Sequence, residues 1–411
     1  MKILILCDMF PPAFGPRMGY LTKYLQQAGH QVSIITEYIE DNTFLFLSKG
    51  TDAHPLTFPS KKNKVRWSLS FLYNLFFGYK NKAFIRKADE LIRRNGAYDI
   101  VLCSVYRTFP LLAALRVSKK YNIPLVADMR DILEQYPGNE FISVRFKTID
   151  CLDKLIARTY KAHLLRQRNA VLRQANAITT VSSWHVEQMK QFNPRVKLIF
   201  NGYDPELFFP ETVHTSCFNI TFTGRILSLK IKDPHPLFEA IANLCKDKKI
   251  DSRTFQVQWY TDDASKEMLT PLIAHYGIQE YMSFNGYVPA DAIPRILNES
   301  AILLQLTNRT SATGPKGIMT TKLFESLAVL KPLLCVRNDE GCLEQTIKEA
   351  NAGISASTAQ EAYDFILKNY LIWQEKGTTF SETNKDVLKK YSRKEQAGEF
   401  AKLFESIINK R

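Results

Sequence analysis

Three groups of residues have types and spacings suited to chemistry on a bound anion or hydroxyl. The first is Thr320, Thr321, Lys322 and Glu325, on a stretch of helical period. Ahead of it, residues 307–317 form a polar loop with Gly314, Pro315 and Gly317, types that favour irregular backbone. A loop running into a helix start offers unpaired backbone N–H groups, a ready anion site. Glu325 stands further along the same helix, where a carboxylate can accept hydrogen bonds from ligand hydroxyls. The plainer reading of Lys322 and Glu325 is a solvated helix face. The second group is Arg225 with Lys230, and Lys232 as a competing lysine, just after Gly224 at the end of the strand pattern NITFTG. An isolated Arg and Lys would be surface charge. The third is Asp128, Arg130 and Asp131, which end the apolar run IPLVADMRDI. The C-terminal edge of such a strand is where α/β proteins bind ligands, and a carboxylate there can take or orient a proton. An N-cap, or a structural pair with Arg130, is the alternative.

The elements that must position these groups alternate between strand and helix. Residues 2–36 read as strand KILILC, a Pro/Gly loop, a helix from about 20 to 28 stopped by Gly29, and strand QVSIIT. Within the loop, Gly15 precedes Pro16, which lacks a backbone donor, and Arg17 follows. YDIVLCS, a helix to Tyr121, IPLVADMRDI, a basic helix over 145–175 and ANAITTVS continue the pattern. Later, NITFTG, FQVQWY, AILLQL and LLCV are strands between helices, and Gly286-Tyr287 marks a turn. Met319, Leu323, Phe324, Leu327 and Ala328 give one helix its apolar face, ended by Lys331-Pro332. YSRKEQAGEFAKLFESII is a closing amphipathic helix. Such alternation predicts parallel sheets covered by helices.

A chain of 411 residues predicts two domains, and 45% apolar with 23% charged residues is a folded, soluble composition. No apolar run is long enough to span a bilayer, and KILILC is too short for a signal peptide. The seven cysteines have no metal-ligand spacing and read as free thiols in a reducing cytosol. The +14 net charge lies wholly within residues 1–204, which predicts an anionic partner for that half. Residues 61–94 interleave Lys61, Lys62, Lys64 and Arg66 with Trp67, Phe71, Leu72, Leu75, Phe76 and Tyr79. That is the composition of a helix lying in a membrane interface, or of one packed on its own domain.

The stretch Lys322-Leu-Phe-Glu325-Ser-Leu-Ala-Val-Leu-Lys-Pro332 resembles the donor-binding segment of family 4 glycosyltransferases with the GT-B fold. Where the better-known form has an earlier Glu, this chain has Gly317. The link Asn201-Gly-Tyr-Asp204 to Pro210 also resembles that family. The resemblance implies two doubly wound Rossmann-like domains facing across a cleft: 1–205 on the acceptor side, 206–385 on the nucleotide-sugar side, and 386–411 packing back on the first. It implies that Arg225 and Lys230 hold a donor diphosphate and that Glu325 holds its ribose. Gly224, Gly286, Tyr287, Thr320, Thr321 and Lys322 complete the donor contacts, and the loop of Gly15 and Arg17 lies against the diphosphate. Asp131, with Asp128 as the other choice, faces the acceptor. Two fixed cations can neutralise a leaving nucleotide, so neither metal nor cofactor is expected.

The implied activity is retaining transfer of a sugar from a nucleotide sugar to a glycan or lipid-linked acceptor, at the cytoplasmic face of the cell membrane. Lys61, Lys62, Lys64, Arg66, Trp67, Phe71 and Phe76 would meet an anionic membrane surface or the acceptor. An epimerase or an inverting transferase fits the same architecture. A non-enzymatic basic nucleic-acid-binding protein is the alternative of another class; against it no RRM, KH or zinc-finger signature is present, so nucleic acid is not the expected partner.

Overall fold

The structure is a computed structural model, and it describes residues 1–59, 62–135, 150–307 and 317–410. It divides into two units, residues 1–200 with 393–411, and residues 201–392.

The first unit runs β1 (Lys2–Cys7), α1 (Pro16–Gln27), β2 (Gln31–Glu37), β3 (Asp52–Leu56), α2 (Lys64–Phe77), α3 (Tyr79–Asn95), β4 (Ile100–Val105), α4 (Leu111–Tyr121), β5 (Leu125–Met129), α5 (Asp150–Leu172), β6 (Ala177–Thr180), α6 (Ser183–Lys190) and β7 (Val196–Leu198). Its sheet is parallel in the order β3-β2-β1-β4-β5-β6-β7. Alternate side chains of β1 enter different cores, as the period of a strand requires. Ile3, Ile5 and Cys7 pack with Leu21, Tyr24 and Leu25 of α1. Leu4 and Leu6 pack with Phe84 and Leu91 of α3 and with Leu111 and Val117 of α4. Helices on both faces explain why β1, β4 and β5 read as nearly unbroken apolar runs.

The second unit runs β8 (Phe218–Thr223), α7 (His235–Lys246), β9 (Phe255–Tyr260), α8 (Asp263–Tyr276), β10 (Met282–Phe284), α9 (Ile293–Asn298), β11 (Ile302–Leu306), α10 (Thr321–Ala328), β12 (Leu333–Val336), α11 (Cys342–Ala350), β13 (Gly353–Ala356), α12 (Ala359–Lys376) and α13 (Lys385–Lys389). Its parallel sheet has the order β10-β9-β8-β11-β12-β13. Phe218, Ile220 and Phe222 of β8 pack with Leu237 and Ile241 of α7 and with Ile366 and Tyr370 of α12. The last helix, α14 (Arg393–Ile408), returns to the first unit and places Phe400, Phe404 and Ile407 in the core beside α1.

Several boundaries differ from the sequence reading. The single helical run expected over 61–94 is two helices, because Gly78 takes the left-handed conformation at φ 57° between α2 and α3. The basic helix expected from 145 begins at Asp150 among the described residues. Met319 precedes α10, and Thr320 occupies its N-cap position in extended backbone. The units part between residues 200 and 201.

Candidate functional site

Each sheet reverses its strand order once, and the candidate residues gather at those two places. In the second unit the reversal lies between β8 and β11, whose C-terminal ends flank a crevice of the kind in which open α/β sheets bind ligands. Gly224 ends β8 with φ 130°, a backbone conformation open mainly to glycine. A Cβ there would come within 2.6 Å of Lys322 Cε, so the missing side chain is what lets Lys322 lie over the strand end. Arg225 is exposed. Its Nε donates to the Tyr287 hydroxyl, lies 3.4 Å from Asp262 Oδ2, and its guanidinium sits 5.3 Å from the Tyr287 ring centre. Gly286 at φ 67° makes the turn that presents Tyr287.

Lys232 Nζ donates to the Arg225 carbonyl and lies 5.3 Å from the Phe222 ring centre. Burial, and then the positive charge of Lys322, push the Lys232 ammonium down to about 8. Lys230 is exposed, and its backbone N–H donates to Ser228 Oγ. The lysine brought against Lys322 is therefore Lys232. On α10, Leu323, Phe324 and Leu327 are buried, while Thr321, Lys322 and Glu325 are half-buried. Thr320 Oγ1 is buried and has no hydrogen-bond partner among the described residues. Gly314 and Pro315 lie outside the described residues.

In the first unit the reversal lies between β1 and β4. Gly15 sits in a crowded turn, where a Cβ would be 2.8 Å from Phe10 Cα. Arg17, 4% exposed, donates from Nε to Asp128 Oδ2 (3.0 Å) and from Nη2 to Asp128 Oδ1 (2.9 Å). It also donates to the carbonyls of Phe200 (2.7 Å) and Ile199 (3.0 Å). Ser104 Oγ donates to Asp128 Oδ2 at 2.8 Å and Thr179 Oγ1 to Asp128 Oδ1 at 2.7 Å. A carboxylate offers about four acceptor positions, and all of those on the fully buried Asp128 are filled. Burial works to raise its pKa, but Arg17 and the two hydroxyls outweigh burial and hold it below the ordinary value.

This corrects two readings of the sequence. Arg17 is not a free contact for a diphosphate, and Asp128 is not a free base, because each is the other's buried partner. Asp131 is differently placed. It is half-buried, and Oδ1 accepts from Gln135 Nε2 at 3.1 Å. Burial raises its pKa against the pull of Arg130. Asp8, directly after β1, pairs with Arg130 and accepts the Tyr106 backbone N–H at 3.2 Å. Asp8 went unread in the sequence, although an acidic residue after the first strand is itself a signal. His185 and Gln135, both buried, also went unread. A depression lined by Met1, Lys2, Gly29, Gln31, Ala97 and Asp99 lies at the opposite edge of this sheet and holds none of the candidates.

Helix α2 turns only part of its aromatic surface inward. The Trp67 and Phe71 rings stack at 5.7 Å, and Phe71 meets the Tyr160 ring edge at 6.0 Å. Val65, Leu69, Leu72 and Phe76 form an exposed stripe, with Leu69 at 64% and Phe76 at 76%. Arg66 and Lys62 are exposed beside it. Lys61 and the Lys64 side chain lie outside the described residues. Among the described residues no group of His, Cys, Asp and Glu could hold a metal ion, and no helix is long and apolar enough to cross a membrane.

Residues 17–207 match the family model described as Glycosyltransferase Family 4. No curated protein matches the sequence. Among solved structures, Anabaena Alr3699/HepE in complex with UDP is similar at a TM-score of 0.66 and 16% identity, covering 99% of this chain and 100% of that one. A sucrose-phosphate synthase from Thermosynechococcus elongatus is similar at 0.65 and 13% identity, with 100% of both chains covered. A glycosyltransferase from Rickettsia africae is similar at 0.64 and 15% identity, covering 99% of this chain and 98% of that one. At such identities the likeness shows the fold, which is GT-B, with two parallel-sheet Rossmann-like domains. Residues 17–207 are thus similar to Glycosyltransferase Family 4, and over its whole length the chain has the GT-B fold.

Proposed function

We propose that this protein moves a sugar from a nucleotide-sugar donor to a hydroxyl of a glycan acceptor, with retention at the anomeric carbon. The observation that carries the donor half is the gathering of Arg225, Lys232 and Lys322 at the reversal point of the second sheet. An ammonium depressed first by burial and then by a second ammonium is costly without an anion, and a diphosphate would relieve that cost. The start of α10 adds backbone donors, and the Thr320 hydroxyl adds a buried polar group in need of a partner. Lys230 stays a second candidate for the lysine role. Glu325 is read as the ribose contact. Because HepE is seen with UDP, uridine is the first base to try.

The fixed cations can carry the charge that builds on the leaving diphosphate, so the proposal includes metal independence. Turnover should persist in excess EDTA, and its loss would assign the role to a divalent ion. The main test is a panel of nucleotide sugars scored by melting temperature, which rises with any ligand that favours the folded state. Arg225→Ala and Lys232→Ala should each weaken the best donor about ten- to a hundredfold, the worth of one charge-assisted bond. Glu325→Gln should weaken it less. Unchanged affinity in both cation variants would remove the assignment. A changed nucleotide sugar formed without any acceptor would point to epimerisation instead.

The proposal also places the first unit on the cytoplasmic face of an anionic membrane, with a lipid-linked acceptor. The support is the positive excess of residues 1–204 and the exposed stripe Val65, Leu69, Leu72 and Phe76 beside Lys62 and Arg66.

A further inference from the structure

Behind Asp131 lies a chain of buried polar groups that its reading as the acceptor-side carboxylate does not use. Gln135, 2% exposed, ends the single helical turn Leu133–Gln135 that follows β5. Its Oε1 accepts the Ile132 backbone N–H at 3.1 Å. A backbone N–H can only donate, so this contact identifies the oxygen end of the amide. The NH2 end is then the one 3.1 Å from Asp131 Oδ1. His185 Nε2 lies 3.0 Å from the same Oε1, so it must carry a proton and donate. His185 Nδ1 lies 3.2 Å from Thr180 Oγ1, whose hydroxyl also lies 3.0 Å from the Met129 carbonyl.

Burial pushes the His185 imidazole down to about 4, which agrees with a neutral ring protonated on Nε2 alone. Its place is fixed in turn, because its own backbone N–H donates to Ser182 Oγ and caps α6. The order Thr180, His185, Gln135, Asp131 thus runs from β6 through α6 to the turn after β5, with the donor determined from His185 Nε2 to Gln135 and from Gln135 to Asp131, while the one Thr180 hydroxyl proton is shared between the Met129 carbonyl and His185 Nδ1. Among the described residues this chain of contacts ends at Asp131 Oδ1.

We propose that Gln135 and His185 are positioning residues that fix the Asp131 carboxylate through Oδ1 and leave Oδ2 to the acceptor hydroxyl. The inference rests on the acceptor-side reading of Asp131. The charged groups that face Asp131 among the described residues are Arg130 beside it and Asp8 from the end of β1, while Glu134 faces His185 and pairs with Arg168. The Gln135 amide favours the anion, so its removal must raise the pH at which Asp131 titrates.

The test reads Asp131 directly. Protein with carboxyl-labelled aspartate is titrated by NMR, and Asp131→Asn identifies the signal. Gln135→Leu and His185→Leu should move that titration to higher pH, while His185→Gln, which keeps a donor near Nε2, should leave it in place. Activity is followed as nucleoside diphosphate released from the best-stabilising donor, with a membrane-lipid extract as acceptor. Gln135→Leu should lower it about tenfold at a pH where Asp131 is ionised, through lost orientation. If a leucine variant fails to fold, His185→Gln against His185→Asn decides: a native titration in the first and a raised one in the second supports the proposal, and equal titrations overturn it. An unmoved Asp131 signal in a folded Gln135→Leu overturns the positioning role alone. Full activity in Asp131→Asn instead overturns the reading of Asp131 on which that role rests.

Discussion

Arg17 and Asp128 illustrate how burial separates a structural pair from a reactive one. Two bonds between them, with one each from Ser104 and Thr179, leave no acceptor position on Asp128 for a ligand. Removing one partner strands a buried charge, so Arg17→Met should destabilise the protein by about 3–5 kcal/mol in urea unfolding. The double variant with Asp128→Asn should recover part of that loss. The pH dependence has a definite sign. A carboxyl held below its ordinary value contributes stability above about pH 4, and that contribution fades as the pH falls through the lowered value. Acid unfolding of Asp128→Asn should lack this component.

Lys232 gives the opposite kind of prediction. Its ammonium is present below about pH 8 and neutral above it. Nucleotide affinity measured by calorimetry should therefore hold at neutral pH and decline above about 8, and Lys232→Arg should abolish the decline, since a guanidinium stays charged. A flat profile in the wild type would return the lysine role to Lys230.

At the scale of the element, α2 divides into two faces with different duties. The side bearing Trp67 and Phe71 reaches Tyr160 of α5, and the side bearing Leu69 and Phe76 is exposed among the described residues. Aspartate at Leu69 and Phe76 should weaken flotation with anionic vesicles at low salt while changing stability by no more than about 0.5 kcal/mol. Trp67→Ala should do the reverse, lowering stability with little effect on vesicle binding. Equal vesicle binding by the double aspartate variant would remove the stripe from the proposed membrane face.

At the scale of the molecule, the chain enters its second unit once and leaves it once, whereas the first unit is closed by a helix from the far end of the sequence. Residues 201–392 should therefore fold as an isolated fragment with its own cooperative transition. Truncation after residue 392 removes Phe400, Phe404 and Ile407 from the core beside α1. Since each large apolar side chain contributes about 1.5–3 kcal/mol on burial, the first unit should lose most of its stability. Calorimetry of the truncated chain should show the second unit melting as before and the first melting lower.

Local pattern was enough for the sequence to determine the alternation of strand and helix, the two parallel sheets and the segment from Lys322 to Pro332. Such features depend on residues a few positions apart, and their periods of two and about 3.6 are written along the chain. The break at Gly78 was missed because a glycine inside a helical pattern is compatible with either continuation or a cap. Tertiary structure alone decided which candidates share a site. Asp128 and Asp131 differ little as letters, yet one meets a helix and two neighbouring strands and the other accepts from Gln135 nearby in the chain. Lys230 and Lys232 are likewise alike in sequence, and only the fold sets one of them against Lys322. Hydrogen-bond saturation and burial arise from residues far apart in the chain, so no spacing along the sequence could have reported them.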